Sequence, residues 1–412
     1  MLLAIDVGKR TLSSYEDLVN KTTFDEINSL GKKLAGKSVL HITPYAFGGG
    51  VEEIFYSVVP LKRELKLNVD WCYIEETQTR FLELGRKVLK AFRGEEVVFT
   101  SEEKEEYFKF CQKCVSSFRG SYDYIIVHSP ILLGLIQFRN LYPESVWIWK
   151  CDLDIHQPSD GEQKILLDLL NAYDAGIFTM LYYIPKGVNL RHISISPPSI
   201  DPLSLKNSEL SLEIYTNIIS KYGVDIKKPI ILQISSFHPS RDPLGVIDAY
   251  KLVKEEVPSA QLVFITFIQQ DNPKMWFYYE RALRRAGEDY DVFFLSNING
   301  IESLESNAFQ RGCNVVVKKS LQEDFGIVVT EALWKAKPVV ATNVGGLSLQ
   351  VIDGVNGYLV EDIPGCAEKI IYLLKNPKIA QKMGELGKEY VRENFLITRQ
   401  LLDYLKLMDK FN

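Results

Sequence analysis

A chain of 412 residues exceeds what one ordinary core encloses, so two domains are expected. Its 46% hydrophobic and 25% charged content is that of a globular protein, and a net charge of −5 gives no electrostatic case for a nucleic acid or an anionic membrane. No apolar run reaches the roughly 20 residues that span a bilayer, and the apolar start of MLLAIDVGKR is too short for a signal peptide. A cytoplasmic protein with neither a nucleic-acid nor a membrane partner is the expectation.

Residues 1–36 mix a short apolar segment with a polar, helix-prone stretch and look like an N-terminal extension. SVLHIT (Ser38 to Thr43) reads as a buried strand, and PYAFGGGVEEIFYSVVPLKREL after it reads as a glycine-rich loop and a helix, the opening of an α/β unit. Further strands are expected at Val69 to Ile74, Tyr124 to His128, Ser145 to Lys150 and Ala175 to Thr179, with a long helical, charged stretch between Thr77 and Ser121. Cys111 and Cys114 form a CxxC without the second half of a zinc site, and they read as two ordinary helix residues.

A boundary falls in SISPPSIDPLSL, where Pro197, Pro198 and Pro202 forbid a continuous helix. Beyond it the alternation restarts. Strands are expected at Pro229 to Ile234, Gln261 to Thr266, Val292 to Ser296, Asn314 to Val317 and Pro338 to Ala341. Helices are expected at Leu244 to Val257, Met275 to Ala286 and Ile301 to Arg311, and a last helix at Leu396 to Met408. Repeated β-α alternation predicts two parallel sheets covered by helices, with ligands at the carboxyl ends of the strands. The domains are expected at 37–200, joined by a C-terminal helix within 393–412, and at 201–392.

The stretch SLQEDFGIVVTEALWKAKP is the most informative. Gly326 permits a tight turn; Ile327, Val328, Leu333 and Trp334 then fall near one face of a helix. Glu323 precedes the helix start and Glu331 lies one turn inside it. Unpaired N–H groups and partial positive charge at a helix start suit a phosphate, and two carboxylates beside it suit sugar hydroxyls. Gly48, Gly49 and Gly50 let backbone donors approach a ligand, although they are neither a GxGxxG nor a Walker loop. Gly345 and Gly346 form a second such loop, which a simple turn would also explain. Arg241, in SSFHPSRD, can meet a diphosphate bidentately or be an ordinary surface arginine. Asp152 and Asp154 form a DxD that invites a metal, yet contact with a polar substrate fits a strand end better. His128 closes its strand and can donate to a sugar hydroxyl or be a satisfied structural histidine. No HExxH or GxSxG occurs.

Together these residues resemble the retaining family-4 glycosyltransferases of two Rossmann-like domains, the GT-B fold. The resemblance rests on the glycine loop at 48–50, SIDP at 199–202, Glu323 and Glu331 in EDFGIVVTEA, and KPVVATNVGG at 337–346. A fuller likeness, over HITPYAFGGGVEEI, PPSIDPLS, AFQRGCNVVV and EDFGIVVTEALWKAKPV, is to the archaeal trehalose glycosyltransferring synthases. It implies transfer of glucose from a nucleoside-diphosphate glucose to a sugar acceptor, glucose itself, with retention and without a metal or other cofactor. A homodimer is one assembly it allows. In the family, Glu323 would contact the donor sugar and Glu331 the ribose. Gly49, Gly50 and the backbone at Phe325 and Gly326 would contact phosphate oxygens, and stabilisation of the leaving diphosphate is the central catalytic effect.

Departures cluster at the implied contacts. Ser236 stands where the family has the first of two diphosphate-clamping cations, and Arg241 where it has a lysine. One lost charge-assisted contact is worth roughly 1.5–3 kcal/mol, about one to two decades in rate. His128-Ser129-Pro130 replaces His-Asp-Pro, and Lys150-Cys151-Asp152-Leu153-Asp154 replaces Arg-Cys-His-x-Asp, on the implied acceptor side. Other donor and acceptor sugars, or a weakened paralogue that binds sugar or nucleotide, therefore stand as alternatives.

Overall fold

The computed structural model describes residues 2–46, 52–75, 77–156, 163–269 and 272–412. The chain divides into two compact units, residues 1–199 with 397–412 and residues 200–396.

The first unit is built on β1 (Leu2–Ala4), β2 (Ser38–Thr43), β3 (Asn68–Ile74), β4 (Tyr124–His128), β5 (Val146–Cys151), β6 (Ala175–Phe178) and β7 (His192–Ile195). They lie in the order β1-β3-β2-β4-β5-β6-β7, parallel throughout except where β1 runs antiparallel to β3. Helices α1 (Lys21–Lys33), α2 (Phe55–Glu64), α3 (Thr79–Phe92), α4 (Ser101–Val115) and α5 (Gln163–Asn171) accompany them. Strands β2, β4 and β5 are buried almost throughout and mostly apolar because helices cover a parallel sheet on both faces. α4 starts at a capping box in which Thr100 and Glu103 satisfy each other's backbone N–H. Phe81, Phe92, Tyr107, Trp147 and Trp149 fill the core on one side of the sheet.

The first 36 residues are integral to this unit. β1 pairs Leu3 with Tyr73 on the sheet edge, and α1 is tied to the C-terminal helix, Ile397–Asp409, by Lys33–Asp409 at 2.6 Å. Three residues are too few to give a strand period, which is why β1 escaped the sequence reading. The C-terminal helix is tied to the sheet as well, since the Tyr124 hydroxyl donates to Met408 O at 2.9 Å.

The second unit holds β8 (Ile230–Ile234), β9 (Gln261–Thr266), β10 (Val292–Ser296), β11 (Val315–Lys318), β12 (Val339–Thr342) and β13 (Gly357–Val360). They are all parallel, in the order β10-β9-β8-β11-β12-β13. Its helices are α6 (Leu212–Lys221), α7 (Pro243–Glu256), α8 (Pro273–Ala286), α9 (Ser303–Gly312), α10 (Ile327–Trp334), α11 (Leu347–Gln350), α12 (Ile363–Lys375) and α13 (Pro377–Asn394). The strand order reverses between β8 and β11, and beside the carboxyl ends of the strands at such a reversal is where open α/β sheets bind ligands. In the first unit the same reversal falls between β2 and β4. Each unit therefore has one place where its topology prepares a ligand site.

Candidate functional site

At the reversal of the second sheet, the loop after β8 carries Ser235, an exposed Ser236 and a short 3-10 turn ending at Arg241. Asp242 follows in the left-handed region and caps α7 by accepting from Gly245 N at 3.0 Å. β11 ends at Lys318, and the loop after it carries Lys319 and Ser320. Leu321 N donates to Ser240 O at 2.8 Å, and Lys319 pairs with Asp242, so the two loops are pinned to each other.

Both loops converge on one carboxylate oxygen. Oε2 of the buried Glu323 lies 2.8 Å from Arg241 Nη1, 2.9 Å from Lys318 Nζ and 3.2 Å from Ser320 Oγ. Arg241 Nη1 also donates to Gln322 O at 2.5 Å. Burial pulls the Lys318 ammonium below its usual range, and the charge of Glu323 opposes that pull. Two cations thus share one carboxylate oxygen beside the strand reversal.

Gly326 starts α10 with φ +80, and a Cβ there would stand 2.6 Å from Leu347 Cδ2. The turn thus has both a steric and a conformational need for glycine. Gly346 N donates to Asp324 O at 3.1 Å, and Gln350 donates to the carbonyls of Phe325 and, at 3.0 Å, Gly346. Gln350 is itself held by Thr330 Oγ1 at 2.6 Å. The structure therefore brings Glu323, Phe325, Gly326, Gly345 and Gly346 into one braced loop cluster, with Arg241 on its rim.

α10 departs from the expected amphipathic helix. Ile327 and Val328 are half-buried and every residue from Val329 to Trp334 is buried, so it is a core helix without a polar face. Glu331 is enclosed with it, 3.8 Å from Lys206 Nζ. Lys335 Nζ donates to Glu331 O at 3.2 Å and to Asn207 Oδ1 at 2.9 Å. Burial pulls the Lys335 ammonium down to about 7, with Glu331 opposing.

In the first unit His128 ends β4, buried at the reversal. Its Nε2 lies 3.0 Å from Nδ1 of His41, which sits within β2. His41 Nε2 in turn lies 2.9 Å from Nζ of the fully buried Lys62 of α2. Phe55 meets His128 edge-on at 4.8 Å, and the Tyr404 ring of the C-terminal helix lies 3.8 Å from Lys62 Nζ. Burial depresses both imidazoles, and the nearby Lys62 and Lys150 cations add to the effect.

The two DxD carboxylates take separate partners. Asp152 pairs with buried Lys150 at 2.5 Å and accepts from Thr179 Oγ1 at 3.4 Å. Asp154 lies 2.5 Å from His156 Nδ1, whose Nε2 meets the Tyr182 hydroxyl at 2.9 Å. Among the described residues no group of three His, Cys, Asp or Glu is arranged for a metal. Gly49 and Gly50 lie outside the described residues.

Lys318, His41 and Lys62 had no place in the sequence reading. The signal for Lys318 was a pair of lysines closing an all-valine strand. For His41 and Lys62 it was a lone polar residue inside a run otherwise fit for burial, SVLHIT and SVVPLK.

Comparison with known proteins adds to this geometry. Residues 41–185 match the family described as "Trehalose synthase, N-terminal domain", and residues 215–390 match "Glycosyl transferases group 1". The chain is 38% identical to a trehalose synthase of Pyrococcus horikoshii over 98% of its own length and 97% of the relative's. It is 39% identical to a trehalose synthase of Rubrobacter xylanophilus over 100% and 99%. Among solved structures, a sucrose-phosphate synthase from Thermosynechococcus elongatus superposes with TM-score 0.69 at 17% identity, covering 91% of this chain and 99% of that one. An α,α-trehalose-phosphate synthase (UDP-forming) from Burkholderia xenovorans, in complex with glucose-6-phosphate, gives TM-score 0.71 at 13% identity, covering 91% and 100%. At these identities the structural likeness shows the fold, GT-B.

Proposed function

The chain belongs to the trehalose synthase family of glycosyltransferases, and from that premise we propose that it moves glucose from a nucleoside-diphosphate glucose to free glucose, giving trehalose. The proposed transfer retains configuration at the donor carbon and uses no metal. The observation that carries this reading is the meeting of Arg241 and Lys318 on Glu323 Oε2, at the strand reversal and beside the N-terminus of α10.

A diphosphate bound here meets two cations and the unpaired N–H groups of a helix start, which together stabilise the charge of the leaving group. The two cations supply what a divalent ion supplies elsewhere. Glu323, relieved of part of its pairing, accepts from hydroxyls of the donor glucose, and Glu331 from the ribose. His128 donates to the transferred sugar, while Lys150, Asp152 and Asp154 hold the acceptor. In the reaction the bond from the anomeric carbon to phosphate oxygen breaks as the acceptor oxygen bonds to that carbon from the same face. The acceptor proton passes to the departing phosphate oxygen, leaving the nucleoside diphosphate and the disaccharide.

The test is an NMR time course with ADP-glucose or UDP-glucose plus free glucose, beside a control without acceptor. A growing α,α-linked anomeric signal is expected. Silence with both donors, together with silence across a panel of other nucleotide sugars and acceptors, would overturn the transferase reading for this chain. One observation favours a second reading. Ser236 is an exposed small side chain where the resemblance implies a clamping arginine, which fits a weakened paralogue that binds sugar or nucleotide. Calorimetric binding of UDP or ADP without transfer, with transfer appearing in Ser236→Arg, would establish that alternative.

A further inference from the structure

In the first unit, β2, β4, α2 and the C-terminal helix bring four buried polar or aromatic groups into line: Tyr404, Lys62, His41 and His128. We propose that Lys62 and His41 are positioning residues that hold His128 in the single tautomer with its proton on Nδ1, making its ring a fixed neutral donor. This rests on the reading above, in which His128 touches the transferred sugar.

The argument follows the protons. A lysine ammonium has three donors and no acceptor, whereas a neutral imidazole has one of each. As an ammonium, Lys62 at 2.9 Å from His41 Nε2 can only donate to it, and the His41 proton then sits on Nδ1. That Nδ1 lies 3.0 Å from His128 Nε2 and donates to it. His128 must therefore carry its own proton on Nδ1, the ring nitrogen with no hydrogen-bond partner among the described residues. The direction of the chain is set at its far end. The Tyr404 ring face stands 3.8 Å from Lys62 Nζ and favours the ammonium, against burial that pulls it well below its ordinary range; the proposed relay requires Lys62 to be charged.

The surroundings leave little room for an imidazolium. Lys62 of α2 and Lys150 of β5 are the cations near the pair, and Phe55 and Tyr404 close it with aromatic edges and faces. A ring fixed in this way is a poor general base but a steady hydrogen-bond donor. That role suits a transfer in which the acceptor proton goes to phosphate.

The experiment is long-range ¹H–¹⁵N NMR of the full-length protein labelled at its five histidines, assigned through single His→Gln variants. Wild type is expected to show His128 with a protonated Nδ1 and a bare Nε2 at neutral pH. Lys62→Met should give a mixture of tautomers and a kcat about tenfold lower, the worth of one hydrogen bond, with donor KM changed less than twofold. Lys62→Arg, a donor-only replacement, should restore the single tautomer. The opposite tautomer in wild type overturns the proposal and needs no variant to fold. An unchanged tautomer in Lys62→Met overturns it as well. The expected tautomers without any sugar transfer would sink the functional reading and leave the relay standing.

Discussion

The two strand reversals solve the same topological problem with opposite electrostatics. In the second unit the polar groups come from loops and from the last residue of one strand, and charge meets charge: Arg241, Lys318 and Ser320 all address one oxygen of Glu323. In the first unit they come from strands and helices, and Lys62 is buried with no carboxylate partner among the described residues, facing instead an imidazole and an aromatic ring. A carboxylate shared by two cations can release them to an incoming anion, so the loop site is built to exchange partners. A chain of neutral rings ending on a cation has a fixed proton order, so the strand site is built to stay as it is. The loops do the binding of charge and the strands hold the geometry.

The largest expected effect comes from breaking the exchange. Glu323→Gln leaves shape but removes the anion, and turnover is expected to fall about 10²–10³-fold, the range seen when a polar contact to the transition state is lost. Because Lys318 is then buried without its counter-charge, denaturant unfolding of the second unit should also lose about 3 kcal/mol. Turnover within threefold of wild type would show that Glu323 is only a structural anchor for Lys318. An intermediate effect comes from the turn that aims the loop. Gly326→Ala puts a methyl near Leu347 Cδ2 at a φ of +80 and should cost about 1–3 kcal/mol of second-unit stability. Donor KM is expected to rise with it, since the N–H groups of α10 move.

The smallest effect is a pH slope. Lys335 is deprotonated near pH 7 in the folded unit but only near about 10.4 when unfolded. Between these values the unfolded chain binds more protons, so stability rises with pH, by at most about 1.4 kcal/mol per unit. Lys335→Met should flatten that rise between pH 7 and 9 in denaturant titrations. An unchanged slope would place its origin elsewhere. Such a result would weaken the view that charge in the second unit is tuned by local partners alone.

Much of the scaffold was legible because buried parallel strands are runs of apolar residues with clear ends. β2, β4, β9 and β10 occupy the residues expected of them. β7 and β13 were missed for physical reasons. His192–Ile195 is a half-exposed edge, and Gly357–Val360 is short and opens with glycine. The carboxylate pair and its glycine turn were legible because their spacing is local to one loop and helix. Arg241 was legible as a cation, yet its partnership with Glu323 was not, because the two belong to different loops that only the sheet order brings together. For His41 and His128 the separation is 87 residues. No local pattern encodes such a contact; it depends on the register of β2 beside β4. The all-buried character of α10 was obscured by Glu331, whose charge suggested a solvent face where the structure supplies Lys206 instead.

The C-terminal helix gives the first unit an unusual place in the order of synthesis. Residues 200–396 form a complete unit that is wholly translated before Ile397, and domains generally fold as they emerge. The first unit, begun earlier, must wait for its closing helix, which brings the Tyr404 ring to Lys62 and the carbonyl that accepts from Tyr124. The unit begun first is therefore completed after the unit begun second. Until translation passes Met408, α1 and α2 lack the helix that packs on them, and the buried Lys62 lacks its ring.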